Sequence, residues 1–144
     1  IPYFAPELFR TARPKDPLKS KQLQKGLKEL GEEGAIQVFE TLGGGLLLGA
    51  VGPLQFEVVA SRLETEYKVE ATYAHADIHT ARWLTYEDAA TQRQFEKEQE
   101  LRLAYDVDGN PVYLASNRYN LELTMEKWPK VTFLATREHG QRVL

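Results

Sequence analysis

The chain has 144 residues, 42% of them hydrophobic and 27% charged, with a formal net charge of −3, an ordinary composition for a domain that builds its core without a metal or disulfide staple. It contains no cysteine, which excludes structural disulfides, thiolate metal sites and cysteine nucleophiles and fits a reducing cytoplasm. The longest apolar run, Leu46 to Val51, is far too short to span a bilayer, so no membrane partner is expected.

The chain opens on Ile1-Pro2, without an initiator methionine or the basic-then-apolar pattern of a signal peptide, and reads as an excised segment of a longer polypeptide. Glu7 to Arg13 roughly alternates polar and apolar residues and predicts a strand. Asp16-Pro17 pairs an N-cap residue with proline at the first helical position and starts a helix. Leu23, Leu27 and Leu30 recur at i, i+4 and i+7 and mark its buried stripe. Lys21, Lys25 and Lys28 repeat that spacing two residues earlier, about 200° around the helix, and therefore face away from the core. Gly31 and Gly34 are expected to end it.

Ala35 to Thr41 and Leu46 to Val51 read as strands joined by Gly43-Gly44-Gly45 into an antiparallel hairpin. Gly52-Pro53 restarts a helix, whose apolar side is expected from Leu54, Val58, Val59 and Leu63, with Arg62 and Glu66 pairing at i,i+4. Tyr67 to Tyr73 alternates as a fourth strand. The resulting order, β-α-β-β-α-β, is the split βαβ or ferredoxin-like arrangement of an α/β (α+β) domain, assigned to residues 1–74.

Residues 75–144 are expected to form a β-α-β-α-β extension packed on the first unit. Ile78 to Tyr86 is its first strand, Asp88 to about Leu103 a polar helix, Asp106 to Asn110 a turn, and Val112 to Ala115 a short strand. Ser116 or Asn117 caps a last helix with Leu121, Met125 and Trp128 inward; Pro129 stops it, and Val131 to Ala135 is the final strand. A polar tail follows from Arg137. No internal repeat is evident.

Charge is unevenly distributed. Residues 10–28 hold seven Lys and Arg (Arg10, Arg13, Lys15, Lys19, Lys21, Lys25, Lys28) against Asp16 alone, whereas residues from Glu29 onward hold 11 basic and 19 acidic residues. A dipolar body of this kind faces a polyanion on one side only.

Motifs for chemistry fail on spacing. Gly44 and Gly49 stand five apart, but Ala50 and Val51 follow where a phosphate loop needs lysine and Ser/Thr. Asp106-Val107-Asp108-Gly109 is too common a pattern to indicate nucleotide binding, and its Gly109 falls too early for a calcium loop, with Pro111 following. His75, Asp77 and His79 would share one face of an extended chain, but they read as exposed polar residues between two strands rather than as a metal site. No catalytic, cofactor-binding or metal-binding residue is assigned.

The ordered strings FAPELFR (Phe4–Arg10), KDPLK (Lys15–Lys19), GAVGPLQFEVV (Gly49–Val59), RLETEYKVEATY (Arg62–Tyr73), ARW (Ala81–Trp83) and TREH (Thr136–His139) resemble the C-terminal domain of the bacterial peptide chain release factor 3 family. The middle stretch is also similar to the third domain of elongation factor G, although Pro53 and the glycine-rich turn depart from that pattern. The resemblance implies a translational GTPase that promotes dissociation of class I release factors from the ribosome. GTP and Mg would be held by an N-terminal GTPase domain, followed by a β-barrel domain. This fragment would carry no cofactor and would dock on ribosomal RNA and proteins. The basic side chains Arg10, Arg13, Lys15, Lys19, Lys21, Lys25 and Lys28 are the docking candidates, with Gln55 at the start of the second helix as a further one. The equivalent domain of another translational GTPase and a ferredoxin-like small-molecule regulatory domain are the alternative readings.

Overall fold

A computed structural model of the chain describes residues 2–138. The described residues form strands β1 (Pro2–Phe4), β2 (Leu8–Pro14), β3 (Gln37–Thr41), β4 (Leu46–Ala50), β5 (Ala71–His75), β6 (Thr80–Tyr86), β7 (Leu103–Tyr105), β8 (Pro111–Ala115), β9 (Val131–Leu134) and β10 (Thr136–Glu138). Helices α1 (Ser20–Glu33), α2 (Pro53–Glu66), α3 (Ala89–Glu98) and α4 (Arg118–Lys127) lie between them.

Eight strands make one antiparallel sheet in the order β5-β2-β4-β3-β7-β8-β6-β9. The first four contain the β-α-β-β-α-β run expected from the sequence. The last four repeat the same run, because the second half holds one more strand than expected: β7 (Leu103–Tyr105) begins where the expected polar helix ends and fills the stretch before the Asp106 turn. That helix stops at Glu98 and passes through a 3₁₀ turn, Glu100–Arg102. The repeat is architectural and invisible to sequence periodicity, since the two halves share element order rather than residues. β3 and β7 join the halves through two register pairs, Glu40↔Tyr105 and Thr41↔Ala104. β1 and β10 pair separately, Phe4 opposite Thr136, so Thr136–Glu138 is strand rather than the start of a polar tail; residues from His139 lie outside the described part.

Strand alternation sorts the side chains into three cores. One face of the first half packs Ala12, Val38, Leu48 and Ala50 against Leu23, Leu27, Leu30, Phe56, Val59 and Leu63 of α1 and α2. The matching face of the second half packs Leu84, Tyr113, Ala115 and Val131 against Phe95 and Leu121 of α3 and α4. Phe95 is fully buried in α3, and the rings of Trp128, Phe133, Tyr86 and Tyr113 lie 5.2–6.0 Å from it. The helix-free faces meet each other: Phe9, Phe39 and Leu47 from one half join Ala81, Trp83, Ala104, Val112 and Leu114 from the other. The result is a four-layer α/β/β/α body whose two sheet layers are continuous through the β3–β7 seam.

Local chemistry sets the boundaries. Asp16 Oδ1 accepts from the Leu18 N–H and caps a 3₁₀ turn, Pro17–Lys19, which feeds α1. Gly34, in the left-handed region at φ 89°, ends α1, since an L side chain there is strained. Gly31 does not end the helix; it is buried within it, and a Cβ at that position would sit 2.7 Å from Val107 Cγ1 and 3.1 Å from Val38 Cγ2. Val107 belongs to the Asp106–Asn110 turn, so Gly31 lets the second half approach α1. Gln55 caps the start of α2 from its third position: its Oε1 accepts from the N–H groups of Val51 (2.7 Å) and Gly52 (3.4 Å). α2 ends with Tyr67, and Lys68 takes φ 56°, with the Val69 N–H reaching back to the Leu63 carbonyl. This left-handed stop delays the strand expected from Tyr67 until Ala71.

Two apolar faces differ from expectation. Phe56, Val59 and Leu63 form the buried side of α2, leaving Leu54 67% and Val58 46% exposed. In α4 Leu121 is buried, but Met125 is 41% exposed. Arg62 clamps the two helices of the first half, its guanidinium bonding Glu33 at 2.6 and 3.0 Å and Glu66 at 2.6 and 3.1 Å. Hydrogen bonds from Arg62, aided by its charge, hold both carboxyls below their ordinary range.

Two predictions follow from these contacts. Gly31→Val forces Val107 and Val38 apart and lowers stability by about 1–3 kcal/mol, read as a lower thermal midpoint, whereas Gly43→Ala, with nothing within 4 Å, shifts it within about ±0.5 kcal/mol. The Glu33 and Glu66 carboxyls are depressed in the folded state, so their contribution is present above the ordinary carboxylate range and is lost as pH falls through the folded values. Thermal melts of an Arg62→Gln variant over an acid pH series are expected to lose part of this pH dependence.

Candidate nucleic-acid interface

Helix α1 presents two opposed faces. Leu23, Leu27 and Leu30 are at most 1% exposed, while Lys21, Lys25 and Lys28 stand in solvent, as the 200° offset in the sequence dictates. The three lysines form the wall of a groove of ≈ 620 Å³ rather than a flat patch. The rest of its lining comes from Gln24 of α1, from Val38, Glu40 and Leu46 of the first half, and from Tyr105, Asp106, Val107 and Gly109 of the second. The groove therefore runs along α1 over the β3–β7 seam.

The far rim is held by hydrogen bonds. Asp106 Oδ1 accepts from the backbone N–H groups of Asp108 (3.0 Å) and Asn110 (2.9 Å), and Oδ2 accepts from Trp83 Nε1 (3.0 Å) and Asn110 Nδ2 (3.2 Å). This local side-chain-to-backbone bonding is the Asx-turn chemistry of Asp. It ties the turn to a tryptophan of the central core. Burial first, then the charge and hydrogen bond of Glu96, raise the Tyr105 phenol above its ordinary value, so the partly exposed ring keeps its proton.

The remaining candidates do not join this wall as one surface. Lys15 pairs with Glu70 at 3.2 Å, and Lys19 Nζ donates to the Lys68 carbonyl at 2.9 Å. Both line a separate hollow of ≈ 310 Å³ with Asp16, Glu64, Lys68, Val69 and Glu70, where acidic and basic side chains are balanced. The Arg10 guanidinium lies 4.3 Å from the Phe56 ring centre, a cation–π contact that ties β2 to α2. Arg13 is exposed and three positions further along β2, so it projects from the opposite sheet face.

Gln55 is not the free amide expected at a helix start. Its Oε1 is engaged in the cap, and its Nε2 donates to the Ala35 carbonyl at 3.3 Å. Its geometry is that of a structural residue joining α2 to the start of the hairpin. His75, Asp77 and His79 are exposed, and the described residues contain no group of three or more His, Asp or Glu able to hold a metal ion. Among them, too, no helix is long and apolar enough to cross a membrane.

Sequence reasoning missed the floor and far rim of the groove: Glu40, Leu46, Tyr105 and Val107. The signal available was Leu103-Ala104-Tyr105 directly before a strong turn, which reads as a strand once it is separated from the preceding helix.

The family model described as "Class II release factor RF3, C-terminal domain" matches residues 1–125. Peptide chain release factor 3 of Aromatoleum aromaticum (strain DSM 19018 / LMG 30748 / EbN1) is 71% identical over 143 residues, which cover 99% of this chain and 26% of that relative. The chain thus spans about a quarter of the relative's length, in agreement with the motif strings distributed from Phe4 to His139. The chain belongs to the family of class II release factor RF3 C-terminal domains.

Proposed function

We propose that this chain is the non-catalytic, ribosome-docking C-terminal part of a peptide chain release factor 3, a cytoplasmic GTPase that promotes dissociation of class I release factors from the ribosome during termination. Residues 1–74 serve as the unit resembling the third domain of translational GTPases, with residues 75–144 packed on it. Nucleotide binding and hydrolysis, with GTP and Mg, belong to the GTPase domain of the longer polypeptide. This part contacts that domain, its β-barrel neighbour, and ribosomal RNA and proteins. The single observation that carries the reading is the 71% identity over nearly the whole chain to a release factor 3.

The docking surface follows from electrostatics. Ribosomal RNA is a polyanion, and lysine contacts to phosphates release counterions, which makes binding strongly dependent on salt. Lys21, Lys25 and Lys28 are the exposed lysines set on one helix face. Lys15 and Lys19 lie apart from that face in a charge-balanced hollow, engaged by Glu70 and the Lys68 carbonyl, and are secondary docking candidates.

In the full-length factor, reversing Lys21, Lys25 and Lys28 to glutamate is expected to weaken ribosome binding. The slope of log affinity against log salt should fall by about two, while the thermal midpoint of the protein stays within about ±0.5 kcal/mol of the parent. An affinity unchanged across the whole salt titration would remove the lysine face from the docking surface.

A further inference from the structure

The groove beside the lysines has features that a phosphate-binding patch does not need. Its lining includes the aliphatic side chains of Val38, Leu46 and Val107, the ring of Tyr105 and the carboxylate of Glu40. Glu40 and Tyr105 are register partners across the seam, so both side chains rise from the same sheet face, directly below α1. The lysines are spread along about 10 Å of helix, a span that follows a backbone over a few nucleotides. A duplex keeps its base faces stacked inside and offers a protein wall phosphates, sugars and base edges, whereas unstacked bases of single-stranded RNA settle on aromatic and aliphatic surfaces. The Glu40 carboxylate only accepts hydrogen bonds. It therefore bonds the exocyclic amine of cytosine, adenine or guanine and is repelled by the carbonyl oxygen that uracil carries where cytosine has its amine.

We propose that the groove over the β3–β7 seam receives an unstacked, amine-bearing base (cytosine, adenine or guanine, not uracil) of single-stranded RNA: the base lies against Tyr105 and Leu46 with its amine on Glu40, and the adjoining phosphates lie on Lys21, Lys25 and Lys28. This rests on the reading of the lysine face as an RNA contact and adds to it the strandedness and base class of the partner. The acidic groups in the groove are consistent with that division of labour. Asp106 is turned into its own turn and toward Trp83, whereas Glu40 is exposed on the floor.

The test is fluorescence anisotropy of the 144-residue chain with labelled oligo-C, oligo-A and oligo-U of equal length, and with a duplex of the same length. A glutamate-rich peptide serves as competitor. Oligo-C and oligo-A are expected to bind about fivefold or more tighter than oligo-U, and all single strands tighter than the duplex. Glu40→Gln should remove the preference by raising oligo-U affinity toward that of oligo-C. Tyr105→Leu should weaken every single strand about tenfold and leave the weaker duplex binding less affected.

Equal affinity for duplex and single strand, a base preference that survives Glu40→Gln, or stronger occupancy by the acidic peptide would each overturn the proposal. The two readings fail separately. If Lys21, Lys25 and Lys28 reversal weakens ribosome binding of the full-length factor but the chain shows no base preference, the lysine face stands and the base-binding groove falls. If the reversal changes neither ribosome nor oligonucleotide binding, both fall.

Discussion

Two short strands that would otherwise be open edges, β3 and β7, are paired with each other. Each half of the protein is a four-strand unit whose second strand ends its sheet on one side, and an unpaired edge exposes a row of N–H and C=O groups. Joining those edges through Glu40↔Tyr105 and Thr41↔Ala104 makes one eight-stranded sheet. Two register pairs are a narrow bridge. It is secured by the central core, where the helix-free faces bury Phe9, Phe39 and Leu47 against Trp83, Val112 and Leu114. Without that burial each half would leave an apolar sheet face in water.

The same seam organises the surface. α1 and α3 cover the outer faces of their own halves, and the sheet between them stays partly open to solvent. The Asp106–Asn110 turn closes one side of that opening. Its Asp106 carboxylate binds the Trp83 indole, and its Val107 rests against the Cβ-free surface of Gly31. α1, the turn and the central core are therefore linked by direct contacts. The Arg62 bridge to Glu33 and Glu66 fixes α2 against the C-terminal end of α1 in the same manner, and Arg10 on Phe56 fixes β2 against α2.

Much of the fold was legible because its local signals are strong. Asp16-Pro17, Gly52-Pro53 and Asn117 start helices where capping chemistry says they should, with a 3₁₀ turn interposed after Asp16. The leucine and lysine stripes of α1 place themselves on opposite faces by helical geometry alone. What misled was equally physical. Leu54 and Val58 are apolar at helical spacing, yet α2 turns Phe56 and Val59 inward, because its orientation is set by the sheet it packs on. Gly31 looks like a terminator but serves a close contact with a turn 76 positions away. Leu103 reads as the end of a polar helix, and Ala104 and Tyr105 as its link to a turn, until the strand partners β3 and β8 are known.

By itself the sequence determined the fold class, the absence of cysteine chemistry and the basic face of the first helix, since these depend on composition and on contacts within a few residues. The motif strings carried the family. Only the tertiary structure decided that the second half repeats the architecture of the first, that Gln55 is spent on a cap, and that the seven basic candidates divide among four places. It alone set a tyrosine and a glutamate from two distant strands beside the lysines. Their meeting depends on strand register between residues 40 and 105, and a register between distant edges is fixed by burial on both faces of the sheet rather than by any local pattern.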